Sequence, residues 1–178
     1  MTTYAIIYDT TTGIGYGSHA YGDSDPVLPS NEIACTQAQA QTPAAWTVVN
    51  GSLVQSLPYA QAAQSALIKQ GFANANAANI SFTTAAGVTD TYQCDPKSLQ
   101  AIQTYLSGFQ AAGAVPSGFY WRSATNQNNA FTYADLEKLS QAIAARGFAN
   151  YNQLQTLIAK VKAAKKVSAV QAVVWVNP

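Results

Sequence analysis

The chain has 178 residues, of which 48% are apolar, and this is enough to bury a core without help from disulfides or metal ions. Only 10% are charged and the formal net charge is +1, so its polarity comes mainly from amide and hydroxyl side chains, a composition that favours association between chains. No apolar run approaches the roughly 18 residues of a membrane span, so we expect no membrane insertion.

The first four residues, Met-Thr-Thr-Tyr, contain neither the basic nor the apolar region of a secretory signal. We therefore expect synthesis in the cytoplasm. In that compartment Cys35 and Cys94 are expected to be free thiols, and a single disulfide between them is also compatible with the sequence.

The first predicted element is a β-hairpin. Strand formers fill Tyr4–Tyr8, a polar turn follows, and Gly13–Gly17 alternates glycine with apolar residues. Because no helical pattern follows these glycines, they do not indicate a phosphate-binding loop. Residues 21–31, with two prolines and two acids, are predicted to be a loop.

A second hairpin is predicted around Asn50-Gly51, the dipeptide most typical of a two-residue β-turn. Its strands are Trp46–Val49 and Leu53–Gln55. From Pro58 a helix is predicted to run to about Phe72, with Leu67 and Ile68 on its buried face, and the polar residues 74–79 are predicted to end it.

The central part of the chain uses one design twice, a short apolar hairpin followed by an amphipathic helix, at Ile80–Phe109 and again at Phe119–Ile143. The first hairpin turns at Ala86-Gly87, and the second turns over 125–129. Asp95 precedes a proline and is predicted to cap the first helix. In the second, a threonine followed by Asp135 three residues later forms a variant of the capping box.

The last long helical pattern extends from Leu136 to Val161, and Gly147 predicts a kink or a short break in it. The apolar run Val170–Val176 is predicted to be a terminal strand or an extended tail that packs against other residues.

Charge is sorted along the chain, because all acidic residues precede Lys138 and the C-terminal segment is basic. The four lysines Lys160, Lys162, Lys165 and Lys166 are predicted to lie in the last turns of a helix, where they complement its dipole. They lack the interleaved aromatic residues of a nucleic-acid site, so we expect no nucleic-acid partner. They are instead a possible assembly surface that attracts an acidic neighbour.

The ionisable residues form no recognisable constellation for catalysis. The single histidine, His19, is predicted to lie in the same glycine-rich loop as Asp23 and Asp25, without a nucleophilic serine motif. The two aspartates lack the further ligands of a dedicated calcium loop, and Cys35 and Cys94 with one histidine do not complete a zinc site. We therefore predict no catalytic residue, no cofactor and no metal, and expect that the protein is not an enzyme.

Aromatic residues offer a second interpretation. Tyr120, Trp121 and Arg122 lie together on a predicted strand and are a possible contact for a ligand or a partner. One alternative is a platform on which carbohydrate stacks, with further aromatic residues extending it: Phe119, Phe131, Tyr16, Tyr21 and Tyr59. The other alternative, which we favour, is that these side chains pack in the core and against another subunit.

Several segments occur in an order that carries a family resemblance: Cys94–Leu99, Phe119–Ala124, Phe131-Thr132, Tyr133–Ile143, Phe148–Lys162 and Ala172–Trp175. From about Ser65 to Pro178 the chain resembles a small domain of unknown function that recurs in bacteriophage tail and tail-fibre proteins. Arg122 stands where that family tends to have lysine. Residues 1–57 loosely resemble the β-rich attachment modules of tail-fibre accessory proteins.

The sequence thus predicts an α+β fold in which N-terminal β-hairpins precede two hairpin-plus-helix units and a long C-terminal helical segment. We divide it into an attachment module, residues 1–57, and a tail-associated domain, residues 58–178. The resemblance implies a non-enzymatic structural or adhesion module of the virion tail, oligomeric or part of a multi-subunit tail, with tail-fibre or other tail proteins as partners. The alternatives are a tail-fibre assembly chaperone and a fibre tip that recognises host surface glycan.

Overall fold

The computed structural model describes residues 2–22 and 26–177. These residues form nine strands, five α-helices and one 3-10 helix, and the predicted α+β class is confirmed. In chain order the elements are β1 (Thr3–Tyr8), β2 (Gly15–Tyr21), β3 (Glu32–Cys35), α1 (Gln37–Ala40), the 3-10 helix (Pro43–Ala45), β4 (Trp46–Val49), β5 (Ser52–Gln55), α2 (Leu57–Ala77), β6 (Ile80–Thr83), β7 (Thr89–Tyr92), α3 (Pro96–Phe109), β8 (Tyr120–Arg122), β9 (Asn128–Ala130), α4 (Tyr133–Ala163) and α5 (Val167–Gln171).

The chain divides into two compact units that are discontinuous in sequence. The first unit contains Met1–Leu67 and Leu157–Val174, and the second contains Ile68–Thr156 and Trp175–Pro178. Two of the three boundaries between adjoining segments fall within the long helices α2 and α4, and the third falls in the C-terminal tail. The predicted division after residue 57 stays a prediction.

The first unit begins with a three-stranded antiparallel sheet in the order β2-β1-β3. The predicted β1–β2 hairpin is confirmed, with Ala5 opposite His19 and Ile7 opposite Gly17. The sequence analysis missed β3, a strand of four residues with no clear alternation of polar and apolar side chains. It forms because β1 offers its free edge, where Tyr4 pairs with Cys35.

The hairpin of β4 and β5 is confirmed, with Trp46 opposite Gln55 and Val49 opposite Ser52. Asn50 and Gly51 both have positive φ, at 50° and 71°, as a type I′ turn requires. A left-handed backbone is accessible to asparagine and glycine at low cost, so the local sequence is sufficient to determine this turn.

The first unit also contains the end of α4 and the helix α5. The Gln61 side chain donates hydrogen bonds to the carbonyl oxygens of Val161 and Ala164, both at 3.1 Å, and so binds acceptors that the end of α4 leaves free. Val161 and Val170 are completely buried. Of the two alternatives predicted for Val170–Val176, the strand is wrong, because Val170 lies in α5, and the tail is confirmed for residues 173–177.

The helix α2 extends to Ala77, five residues beyond its predicted end. The cause is tertiary: Arg146 donates hydrogen bonds to the carbonyl oxygens of Asn76 at 2.9 Å and Ala78 at 2.8 Å, and Asn150 donates to the Asn76 side chain at 2.7 Å. These donors satisfy the C-terminal acceptors of the helix. Of the two residues expected to be buried, Ile68 is 1% exposed, but Leu67 is 59% exposed, which corrects that prediction.

The core of the second compact unit lies between its two hairpin-plus-helix segments, β6–β7 with α3 and β8–β9 with α4. Tyr92, Ile102, Phe131, Leu136 and Leu139 are buried together there. The half-buried residues around them are Ile80, Phe82, Leu106, Val115, Phe119, Trp121 and Ile143. The two predicted hairpins, β6–β7 and β8–β9, are therefore confirmed, and their apolar side chains pack against those of α3 and α4. The second turn is tighter than predicted, since Asn128 and Asn129 pair within β9.

The helix caps follow the sequence signals. Asp95 accepts hydrogen bonds from the backbone N–H groups of Lys97 at 2.9 Å and Ser98 at 3.2 Å, at the start of α3. In the capping box of α4, the Asp135 N–H donates to the Thr132 hydroxyl at 3.1 Å, and the Asp135 carboxylate accepts from the Thr132 N–H at 2.9 Å. Of the kink or short break predicted at Gly147, the break is wrong, since α4 is continuous over 31 residues, and the kink stays a prediction. One glycine costs a helix only about 1 kcal/mol.

Candidate functional site

A surface groove in the second unit brings α3 and β8 together. Its volume is about 390 Å³. We call it the aromatic groove, and it is lined by Gln93, Lys97, Ser98, Ala101, Tyr105, Phe119, Tyr120, Trp121 and Arg122. The helix contributes Lys97, Ala101 and Tyr105, which are spaced by four residues and so share one face. The Asp95 cap fixes where this helix begins and thereby sets the position of that face.

Aromatic rings in and beside the groove pack edge to face. The Tyr105 ring centroid lies 5.5 Å from that of Phe119 and 5.8 Å from that of Trp121, with interplanar angles of 71° and 89°. On its other side Tyr105 stacks on Phe109 at 5.8 Å. These are preferred aromatic geometries, and they hold Tyr105 in place while 40% of it stays exposed.

The three predicted contact residues on β8 differ in their surroundings. Tyr120 is 55% exposed, whereas Trp121 is half-buried and packs against the core of the unit. Arg122 is exposed. This alternation is what a strand imposes on successive side chains, so Tyr120 and Arg122 present the freer groups to a ligand and Trp121 supports them.

The other aromatic residues of the proposed platform are elsewhere. Phe131 is 3% exposed and belongs to the core, so it is unavailable to a ligand. Tyr16, Tyr21 and Tyr59 belong to the first unit. Sequence reasoning missed Gln93, Lys97, Ser98 and Tyr105 as lining residues. The spacing of Lys97 and Tyr105 by two helical turns was the available signal.

The first unit contains a smaller cavity, with a volume of about 170 Å³. The helices α2 and α5 line it together with the hairpin β4–β5, and its side chains are uncharged. It is smaller than the usual range of about 300–1,000 Å³ for small-molecule sites, whereas the aromatic groove lies within that range. The groove is therefore the better candidate.

The predicted assembly surface is exposed. Lys160 and Lys162 lie in the last turn of α4, as expected. Lys165 and Lys166 lie beyond the helix, in the connection to α5, which corrects their predicted position. All four side chains face solvent and form a basic cluster on one short stretch of the first unit.

His19 lies in strand β2 and not in a loop, which corrects the sequence analysis. Its Nδ1 is 2.9 Å from a carboxylate oxygen of Glu32, and the other oxygen accepts a 2.7 Å hydrogen bond from the Tyr21 hydroxyl. This bond raises the pKa of Tyr21. Asp23 and Asp25, considered as partners of His19 or as calcium ligands, lie outside the described residues.

Neither cysteine is paired in the described part of the chain. Cys94 is buried, and burial raises the pKa of the Cys35 thiol. Over residues 2–22 and 26–177, no three side chains of the His, Cys, Asp or Glu type are grouped as metal ligands would be. No helix in these ranges has the length and hydrophobicity of a membrane span.

Asp90, on β7, joins the two hairpins of the second unit. It accepts hydrogen bonds from the Thr91 N–H at 2.7 Å, the Thr125 hydroxyl at 2.9 Å and the Asn129 amide at 3.1 Å. The Ser123 hydroxyl, the Thr91 N–H, Asn129 and Thr125 together lower the pKa of Asp90 from 3.8 to about 2. The ionised carboxylate is thus the form that the fold stabilises.

We expect acid to weaken the fold through Asp90. A carboxyl group whose pKa is lowered by folding stabilises the folded state above its unfolded pKa of 3.8, and this contribution is lost as the pH falls towards about 2. Urea unfolding measured between pH 5 and 2 should show this loss. In Asp90→Asn the fall should be shallower, with a remainder from Asp95 and Asp135, whose pKa values are also lowered. Equal slopes in both proteins would contradict this assignment.

The sequence over residues 59–174 matches a family described as a domain of unknown function (DUF4376). The match spans both hairpin-plus-helix units, so it contains every residue that lines the aromatic groove. No curated protein and no solved structure is significantly similar to the chain.

Proposed function

We propose that this chain, which belongs to the DUF4376 family of domains of unknown function, is a non-enzymatic component of a bacteriophage tail. It acts as a structural or adhesion module associated with the tail fibre or its attachment point. It is made in the host cytoplasm and incorporated into the virion. The observation that carries the proposal is the resemblance of residues from about Ser65 onwards to a domain recurrent in tail and tail-fibre proteins.

The surface of the chain supports a role in assembly. Only 10% of the residues are charged, and several large apolar side chains are exposed. On α4, Phe148 is 68% exposed and Tyr151, one turn later, is 51% exposed. Neighbouring aromatic residues that are exposed in a free subunit often form the core of an interface, because interface cores are enriched in aromatic side chains and depleted in charge. We infer that this face of α4 packs against another tail subunit.

The basic cluster supports the same role from the first unit. Lys160, Lys162, Lys165 and Lys166 attract an acidic surface and raise the rate of encounter with it. The N-terminal β-rich segment, residues 1–57, is proposed to provide the attachment contact. In this arrangement the partners are tail-fibre or other tail proteins, or further copies of this chain.

The experiment is mass spectrometry of purified virions alongside the infected-cell lysate. The proposal predicts the protein in both samples, at a constant ratio to a tail protein across preparations. Presence in the lysate and absence from virions would reject it and favour the assembly chaperone. Co-expression with the fibre polypeptide then separates these two roles, since only a chaperone should raise the yield of soluble fibre trimer.

A second candidate function, recognition of host surface glycan at a fibre tip, is supported by the aromatic groove. Its exposed tyrosines provide flat faces for sugar rings, and its polar side chains reach the sugar hydroxyl groups. In this role the module carries the adhesion function itself.

Replacing Tyr120 by alanine tests that candidate, because Tyr120 is exposed and its loss leaves the core intact. If the groove binds the receptor, phage carrying Tyr120→Ala should adsorb at least several-fold more slowly while the protein retains its thermal stability. Leu67→Ala is the control, because Leu67 is 59% exposed on α2 and lies outside the groove, and this variant should adsorb normally. Normal adsorption by Tyr120→Ala would exclude the groove as the receptor site. Trp121→Ala is less informative, since Trp121 packs against the core.

A further inference from the structure

The charge of the aromatic groove indicates which chemical class of ligand it binds. Two exposed cations, Lys97 and Arg122, line it, and its other lining residues are uncharged. Among residues 2–22 and 26–177, the ion pair is that of His19 with Glu32. Neither Lys97 nor Arg122 therefore has a carboxylate of these residues within 4 Å of its side-chain nitrogen atoms. A bound anion would therefore meet two cations that have no carboxylate of the described residues within 4 Å.

The nearest acid along the chain, Asp95, is engaged at the start of α3. Its carboxylate accepts from the Lys97 N–H, from the Ser98 N–H and, at 2.6 Å, from the Ser98 hydroxyl. These bonds lower its pKa and orient the carboxylate towards the helix backbone. Lys97 and Arg122 are left as the charged side chains that a groove ligand meets.

The aromatic side chains favour a ring-shaped ligand. Tyr105 and Tyr120 keep 40% and 55% of their surface exposed in the groove. Contacts with Phe109 and Phe119 hold Tyr105 in position, so little conformational entropy is lost when a ligand stacks on it. Gln93 adds an amide that donates to and accepts from hydroxyl groups. A flat ring with apolar faces and a hydroxylated edge matches this lining.

We propose that the aromatic groove binds an acidic saccharide, meaning a sugar ring that carries a carboxylate. The guanidinium of Arg122 suits a carboxylate because it donates two parallel hydrogen bonds. Lys97 adds a second positive charge, and the tyrosines stack on the ring. This inference rests on the adhesion role proposed above and names its ligand class. An acidic peptide would match the cations, but it would not need the stacking faces.

The experiment measures binding of the full chain to a fixed set of immobilised probes. Acidic probes are oligogalacturonate, oligosialic acid and hyaluronan, neutral probes are maltohexaose and chitohexaose, and hexaglutamate represents an acidic peptide. We expect at least one acidic saccharide to bind more tightly than every neutral probe and to bind less tightly as salt is raised. Lys97→Gln with Arg122→Gln should weaken it about tenfold or more, and Tyr120→Ala should also weaken it.

The matched control is Lys69→Gln with Lys138→Gln, which removes the same charge from exposed positions of the same unit outside the groove and should leave binding unchanged. Loss of binding in this control to the same extent would show a non-specific charge effect and overturn the proposal. So would hexaglutamate binding as tightly as the saccharides, equal binding of neutral probes, or no acidic probe binding with a Kd below about 1 mM. The virion measurement is independent of these outcomes, so a protein found in virions that binds no saccharide would retain its tail role.

Discussion

Replacing Asp135 by alanine is expected to lower the free energy of unfolding by about 3 kcal/mol. The Asp135 carboxylate is 2% exposed and accepts from the Thr132 N–H at 2.9 Å, the Thr132 hydroxyl at 2.7 Å and the Ala85 N–H at 2.8 Å. Burial raises its pKa, but the two Thr132 bonds, the Ala85 bond and Lys138 together hold that pKa below its usual value. Alanine keeps the bond from its own N–H to the Thr132 hydroxyl, but it removes the carboxylate half of the α4 capping box and the acceptor for Ala85, in the turn between β6 and β7.

Chemical denaturation at pH 7 measures this loss. Glu137→Ala is the control, because Glu137 is an exposed acid two residues further along the same helix, and its removal should change stability by less than about 0.5 kcal/mol. Asp135→Asn keeps one acceptor oxygen and should fall between the two. If Asp135→Ala were as stable as Glu137→Ala, the carboxylate would not connect the hairpin to the helix as the structure has it.

The second large effect is expected at Gly71, where a methyl group has no space. A Cβ built there would lie 2.6 Å from Cγ and 2.7 Å from Cβ of Trp175, in the C-terminal tail. Trp175 packs edge to face on Phe72 at 6.1 Å. Because the clash involves atoms near the tail backbone, Gly71→Ala should displace the tail and destabilise the fold by about 1–3 kcal/mol. Faster hydrogen exchange in residues 173–177 would report the displacement.

Two other helical glycines provide matched controls. A Cβ at Gly108 or Gly147 would have no atom within 4 Å. Alanine at either position should stabilise its helix, by up to about 1 kcal/mol, because it restricts the unfolded chain and has the higher helix propensity. A Gly71→Ala protein that gains stability like these two would show that Trp175 does not pack on that face of α2.

Local chemistry explains where sequence reasoning succeeded. The Asn50-Gly51 turn, the Asp95 cap and the Thr132–Asp135 capping box each depend on residues within four positions of one another. Their backbone conformations and hydrogen bonds are therefore determined by neighbouring residues. Helical spacing of apolar residues likewise predicted the amphipathic helices α3 and α4, whose buried side chains include Ile102, Leu136 and Leu139.

The errors have tertiary causes. The end of α2 depends on Arg146, about 70 positions away, whose donors satisfy its last carbonyl groups. Leu67 faces solvent, whereas its neighbour Ile68 is buried. The prediction that both are buried failed because the many alanines of α2 do not indicate which side of the helix faces the core. The helix α5, in which Val170 is completely buried, depends on packing that the local sequence does not indicate.

The sequence analysis named only some of the residues that line the aromatic groove. Tyr120, Trp121 and Arg122 were recognised because they are adjacent in sequence, but Lys97 and Tyr105 come from a helix that precedes them. Their meeting depends on how α3 packs against β8, and a list of residue types contains no such information.

By itself the sequence determined the α+β class, the hairpin turns, the helix starts and the shortage of charge, since these depend on neighbouring residues and on composition. The tertiary structure alone decided which helix ends are satisfied by distant donors, which apolar side chains face solvent, and that two cations and two exposed tyrosines share one groove. The physical reason is that burial and long-range hydrogen bonds become defined only when segments far apart in the chain pack together.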